Sequence, residues 1–222
     1  MGLRSARRAC IIGVTDGNAI DDRIEELHMV PEQQRLDKFR ERVFSHIQLT
    51  PTAFHPLRKF VHEKTFPRKT FLLHVGQRWD RLFYIQRGLI RLFYTDIEGR
   101  EFNKAFFWEG HCIWPVAPRD RTENSLFSIA ALEDVTVLSC PFQRLYEFLR
   151  QYGCWEQFAL PFAETLVEQK FQREHDLLLL SASERYDAFV QSNPDVARRI
   201  PDYHMASFLG VTSVTLSRVK NT

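Results

Sequence analysis

The side chains of this chain best suited to a chemical task stand close together near its C-terminal end: Thr212, Ser213, Val214, Thr215, Ser217, Arg218 and Lys220. Hydroxyls and ammonium groups bind phosphate oxygens, and a guanidinium grips guanine O6 and N7 together. A small apolar side chain such as Val214 can lie against a thymine methyl. The chemistry implied is reading of duplex DNA, with Thr212, Thr215 and Lys220 toward phosphates and Ser213, Val214, Ser217 and Arg218 toward base edges. Those residues must then share the exposed face of a helix. The spacing around them predicts one: a short helix from about Asp202 to Leu209, a reversal at Gly210, a cap at Thr212, and a second helix to about Lys220. Met205, Leu209, Val211, Leu216 and Val219 are in register to fill the angle between the helices, and Ala206 is small where the backbones come closest. Arg198 and Arg199, just upstream, are further candidates for contact with the DNA backbone.

Catalytic and metal chemistry find no comparable pattern. Cys10, Cys112, Cys140 and Cys154 lie far apart with no Cys-x-x-Cys pair, so zinc and iron–sulfur sites lack their usual spacing. Neither His-x-His, Gly-x-Ser-x-Gly, Gly-x-Gly-x-x-Gly nor a phosphate-binding Gly-Lys-Ser/Thr loop occurs. The expectation is a non-enzyme with no cofactor. Scattered single thiols point to a reducing, cytoplasmic setting. No apolar run approaches the ~20 residues of a membrane span. Arg4–Arg8 followed by Ala-Cys-Ile-Ile-Gly-Val14 looks like a signal peptide, but its apolar part is too short.

Thirty Lys and Arg stand against 28 Asp and Glu, giving a formal charge of +2, so any basic footprint must be local. Nineteen Phe residues, mostly in alternating runs, argue for β-structure with an aromatic interior. Residues 1–30 show no sustained period and are predicted to be a poorly ordered extension, with Met29 as a candidate natural start. Leu36, Phe39, Val43, Phe44 and Ile47 predict a helix from Glu32 to about Ile47, broken by Pro51 and Pro56, with a short helical piece near Thr52. Between Leu57 and Phe142 short strands are predicted at 59–66, 70–75, 81–86, 89–95, 100–107, 125–131 and 135–139. Hairpin turns at 96–99 and 133–134 help to mark a sandwich, jelly roll or barrel. Helix returns at 142–151. A longer helix follows from about Cys154 or Phe162 to Leu180, and Pro161 must kink it or start it. Its apolar arc, Phe162, Ala163, Leu166, Val167, Phe171, Leu177 and Leu178, suits a dimer seam, with Lys170 and Glu174 spaced to pair. Another helix is expected from Ser181 to about Gln191, with Ser181 or Ser183 as its cap, ended by Asn193-Pro194. The predicted domains are an effector roll over 31–150, a connecting and dimerisation helix over 151–180, and a DNA-binding domain over 181–222.

This order, together with Leu72-Leu-His-Val-Gly-Gln77, Phe83-Tyr-Ile-Gln-Arg-Gly88, Leu89-Ile-Arg91, Glu109-Gly110, Ala131-Leu-Glu-Asp134 and the terminal Ala206/Gly210 motif, resembles the cyclic-AMP receptor (Crp/Fnr) superfamily of bacterial regulators. The resemblance covers about residues 35–222. It implies an α+β fold: a cyclic-nucleotide-binding-like β-roll, a long dimerisation helix and a winged helix-turn-helix. It also implies a homodimer on a pseudo-palindromic DNA site, an effector bound in the roll, and RNA polymerase among the partners.

Departures from the family pattern bear on what is sensed. Nucleotide-binding members hold the ribose through a Gly-Glu and the phosphate through an Arg-Ser/Thr-Ala. Counted back from Ala131, those positions hold Trp114 with Pro115, and Ser125, Leu126 with Phe127. Without that cation a buried phosphate is costly, so a cyclic nucleotide is not the expected ligand, although Arg119 and Arg121 stand in the intervening loop. His74 and His111 are available as haem ligands but are expected to be structural. Trp79, Trp108, Trp114, Phe106, Phe107 and Phe127 fill the roll core; the other reading is an effector pocket for an apolar or aromatic molecule around Trp114, Ser125, Leu126 and Phe127. Two rival functions stay open, a cupin-like jelly-roll enzyme and a sensor acting through protein contacts.

Overall fold

The computed structural model describes residues 31–47 and 49–221; the extension over residues 1–30, with Met29, lies outside them. The chain runs through helices α1 (Glu32–Val43) and α2 (Pro51–Arg58), then eight strands, β1 (His62–Phe66), β2 (Phe71–Leu73), β3 (Arg81–Arg87), β4 (Ile90–Thr95), β5 (Glu101–Phe107), β6 (Cys112–Ile113), β7 (Ser128–Ala131) and β8 (Val135–Pro141). A short helix α3 (Pro118–Thr122) interrupts the strands before β7. Then come α4 (Phe142–Gln151), the long α5 (Trp155–Leu179), α6 (Ala182–Ser192), α7 (Pro194–Arg199), α8 (Asp202–Leu209) and α9 (Ser213–Lys220).

The strands form two antiparallel sheets of order β1-β8-β3-β6 and β2-β7-β4-β5. Three apolar layers follow from the period-two alternation of side chains across them. Phe83, Ile85, Val135 and Val137 meet Ile90, Leu92, Phe107 and Ile129 between the sheets. Leu82, Tyr84, Leu138 and Cys140 face outward from the first sheet onto α1, α2, α4 and the start of α5. Leu89 and Phe106 face outward from the second sheet onto the C-terminal helices. Strands buried on both faces read as continuous apolar runs, which is why Leu82–Ile85 shows no polar alternation.

The aromatic side chains are therefore core, but of three different layers. Trp114 belongs to the helical layer, Trp79, Phe107 and Phe127 to the roll interior, and Phe106 with Trp108 to the C-terminal layer. Two predicted breaks are absorbed. Pro56 sits on the exposed side of α2, where burial of Phe54 and Leu57 outweighs one lost hydrogen bond. Pro161 lies inside α5, which runs on past it because Trp155, Phe158 and Phe162 all pack on Trp114 around it. Residues 125–127 are not strand; the Ser125 amide and carbonyl instead bond Gln77 and Gly76. β6, α3 and α7 are additions too short for periodicity to reveal. No strand follows β8 among the described residues, so the helix pair has no wing there.

Gly88 ends β3 with φ +95°, and a Cβ there would lie 2.5 Å from the Asp134 carbonyl oxygen. Gly76 has a similar φ of +82° but open space around it. Gly88→Ala is expected to cost on the order of 3 kcal/mol and Gly76→Ala about 1 kcal/mol, measured by urea unfolding. Equal losses would mean that the close approach of the Asp134 turn does not matter.

Candidate nucleic-acid interface

The predicted helix pair forms as α8 and α9. Gly210 takes φ +71° and ends α8, and the Val211 amide bonds the Ala206 carbonyl at 3.0 Å. The Thr212 hydroxyl accepts from the Thr215 amide at 3.1 Å and caps α9. Met205, Ala206, Leu209 and Leu216 are buried between the helices, with Val211 and Val219 partly so. That leaves Ser213, Val214 (63% exposed), Ser217 and Arg218 on the outer face of α9. The proposed phosphate contacts are less simple. Thr212 and Thr215 hydroxyls lie 2.9 Å apart within the cap, and the Lys220 ammonium pairs with Asp202 at 2.8 Å. Arg198 pairs with Asp195.

Arg199 does not face outward. It turns into the roll and donates to Glu109 at 2.9 Å from two nitrogens and to Glu133 at 2.7 and 3.0 Å. Burial opposes its charge, but the hydrogen bonds and fields of Glu133 and Glu109 outweigh that and raise its pKa. Two free carboxylates at this spot repel each other until a guanidinium enters between them, which removes Arg199 from the list of DNA contacts.

A second grip lies on β5, an edge strand of its sheet. The Ser207 hydroxyl accepts from the Asn103 amide at 2.9 Å and donates to the Glu101 carbonyl at 3.1 Å, satisfying edge groups that have no strand partner. The Asn103 side-chain amide donates to the His204 carbonyl at 3.2 Å and lies 3.2 Å from its Nδ1. Arg91, buried and paired with Glu101 at 2.6 Å, donates to the Asn103 side chain. Below these, Phe106 meets Phe208 and Phe189 at ring distances of 5.2 and 6.4 Å. A third grip caps the C-terminal carbonyls of α8 with cations, where the helix dipole is negative. Arg173 of α5 donates to the Phe208 carbonyl at 2.8 Å, and Arg185 of α6 to the Leu209 carbonyl at 3.1 Å. Sequence reasoning missed all three grips. Their only signal was Glu133-Asp134, read as a turn, and Glu109-Gly110, read as part of the family resemblance; neither is read as a receptor for Arg199.

The residues singled out as an effector pocket are not brought together. Trp114, 1% exposed, stacks with Phe142 and abuts Phe158 and Phe162. Ser125 is buried and donates to the Phe127 carbonyl at 2.8 Å, Leu126 is 52% exposed, and Phe127 packs inside the roll against Trp79. Neither loop arginine replaces the missing phosphate anchor. Arg119 pairs with Glu123, and Arg121 donates to Pro115 and Val116 carbonyls while its guanidinium stacks 5.0 to 5.9 Å from Trp155, Trp114 and Phe142. His111 is buried against Trp108, and His74 stacks on Phe71; no cluster of metal-binding side chains occurs among the described residues.

Burial, and then the charge of Arg91, push His204 down to about 4; burial also pushes His111 down to about 4. Both are neutral in the folded chain above that and titrate near 6.5 once unfolded. The unfolded chain thus binds more protons between those values, and stability present above about pH 6.5 is lost as pH falls toward 4. The unfolding free energy should drop through that window by on the order of 2 kcal/mol per histidine, and His204→Gln should remove part of the slope. A flat profile from pH 7 to 4.5 would contradict the placement of both rings.

Comparison with known proteins places this arrangement. Residues 63–152 match the cyclic nucleotide-binding domain family. No curated protein matches the sequence as a whole. Among solved structures, the c-di-GMP responsive global regulator CLP of Xanthomonas campestris superposes with a TM-score of 0.61 at 12% identity, over 78% of this chain and 90% of that one. FixK2 of Bradyrhizobium japonicum gives 0.60 at 17% identity over 72% and 83%. A transcriptional regulator assigned to the Crp/Fnr family in Eubacterium rectale gives 0.61 at 12% identity over 80% and 86%. Residues 63–152 thus match the cyclic nucleotide-binding domain, and over most of its length the chain has a fold like that of the Crp/Fnr regulators.

Proposed function

We propose that this protein is a homodimeric, sequence-specific DNA-binding transcription regulator of the Crp/Fnr type, whose roll senses an effector other than a cyclic nucleotide. The observation that carries the reading is the exposed face of α9, where Ser213, Val214, Ser217 and Arg218 stand on a helix capped by Thr212 and braced from behind by α8. Such a helix fits the major groove, and a two-fold partner sets a second one about 34 Å away on a pseudo-palindrome. Support for the dimer comes from α5. Its only buried residue is Phe158, while Leu160, Val167, Phe171 (65% exposed) and Leu178 remain exposed at spacings of four and seven. Support for a different effector comes from the absent nucleotide anchors, since no cation stands at Ser125–Phe127 and both loop arginines are engaged elsewhere. RNA polymerase contact belongs to the same reading, with no surface assigned to it.

A gel-shift titration on promoter fragments tests it. A dimer should bind a preferred sequence with affinity falling steeply as salt rises. Arg218→Ala should weaken specific binding by about 1–3 kcal/mol and relax one base position, leaving the fold intact. Shifts without sequence preference, or unchanged by that substitution, would overturn the assignment.

A further inference from the structure

The described residues begin at Pro31, and a groove of about 510 Å³ opens beside that point. It lies between the start of α1 and the corner where α2 gives way to β1, lined by Glu32, His55, Arg58, Lys59, Val61 and His62. Buried Val61 and the neighbouring Pro56 give it apolar lining. Its charge is unbalanced. Arg58 and Lys59 stand against Glu32, and Lys64 is exposed two residues along β1 from His62. Among the described residues no carboxylate lies within 4.0 Å of Arg58, Lys59 or Lys64. The Lys59 ammonium lies 5.1 Å from the ring centre of Phe60 instead. Glu63, the acid nearest in sequence to these cations, is taken by Arg35 of α1 at 2.7 Å.

A complementary stretch of sequence ends next to this groove. Arg4, Arg7 and Arg8 carry the only charges up to Thr15, but Asp16, Asp21, Asp22, Glu25 and Glu26 follow with a single Arg23. Ile24, Leu27 and Val30 stand between and after the last of these acids. Val30 is bonded to Pro31, and the next residue, Glu32, already lines the groove. Ten residues span up to about 35 Å when extended, so the acids reach the cations with chain to spare. We propose that segment 21–30 folds back into this groove of its own chain, its four acids against Arg58, Lys59 and Lys64 and its apolar residues against Val61 and Pro56. The tether sets an effective concentration on the order of mM, so ion pairs too weak to hold a free peptide suffice. The segment then ties α1, α2 and β1 together beside the Arg35–Glu63 pair. The groove belongs to the helical layer on the first sheet and α8 lies on the second, so a docked segment leaves the outer face of α9 free.

Amide hydrogen exchange on the full chain, at two protein concentrations, tests the docking. Amides 22–30 should exchange about ten-fold or more slowly than in a free peptide of the same sequence, equally at both concentrations. Arg58→Glu with Lys59→Glu should remove that protection. So should the set Asp21→Lys, Asp22→Lys, Glu25→Lys and Glu26→Lys, and the two sets combined should restore most of it. The upstream set decides the matter alone if circular dichroism shows that the pair on α2 disturbs the fold. A segment that exchanges like the free peptide leaves the groove to another partner and overturns the proposal. Protection that rises with protein concentration puts a second copy's segment there and overturns it too. So does protection indifferent to the charge reversals, or a loss that the combined variant does not restore.

Discussion

The structure depends on one guanidinium held by two carboxylates. Arg199, the last residue of α7, sits between Glu109 from the β5–β6 turn and Glu133 from the β7–β8 turn. Glu109 also accepts from the Gly88 amide at 2.6 Å, and Gly88 packs against the Asp134 carbonyl. Three turns of the roll thus converge on a residue of the C-terminal helices. Planar, charge-assisted contacts of this kind are strong and directional, and Lys cannot reproduce the fork. Take away Arg199 and two half-exposed carboxylates are left facing each other.

From that point the helix pair is fixed in orientation as well as position. α8 lies on the outer face of the second sheet, its polar side meeting β5 through Asn103 and Ser207 and its apolar side meeting Phe106. α9 stays clear, with its outer face in solvent. The roll therefore sets where α9 points without covering it. β5 is the shared element: Asn103 and Phe106 serve the helix pair, while Lys104, Ala105 and Phe107 belong to the inner side.

Much of this was legible in the sequence. Gly210 and Thr212 placed the turn and cap of the terminal helices, because only one residue type takes φ +71° cheaply and few cap a helix. Alternating runs gave seven of the eight strands among the described residues, and their turns gave the roll. What stayed hidden depends on distance in space. Arg199 looked like one of two equivalent surface arginines, and nothing local distinguishes it from Arg198; its partners lie 66 and 90 residues away. Trp114 stands where nucleotide-binding relatives hold the ribose and reads as part of an effector pocket, yet packing with Phe158 and Phe162 puts it in the helical layer. Lys104 read as one more polar residue of a strand, since the bulge that makes it the extra residue opposite Leu92 and Phe93 leaves no trace in a period-two pattern.

Amide hydrogen exchange on the parent chain and on Glu109→Gln/Glu133→Gln tests the central claim most directly. If the carboxylate pair fixes the helix pair through Arg199, exchange in α7 and α8 should speed up in the double variant while β3, β4 and β8 stay as protected as before. Unchanged protection of α7 and α8, or equal loosening of the whole roll, would contradict it.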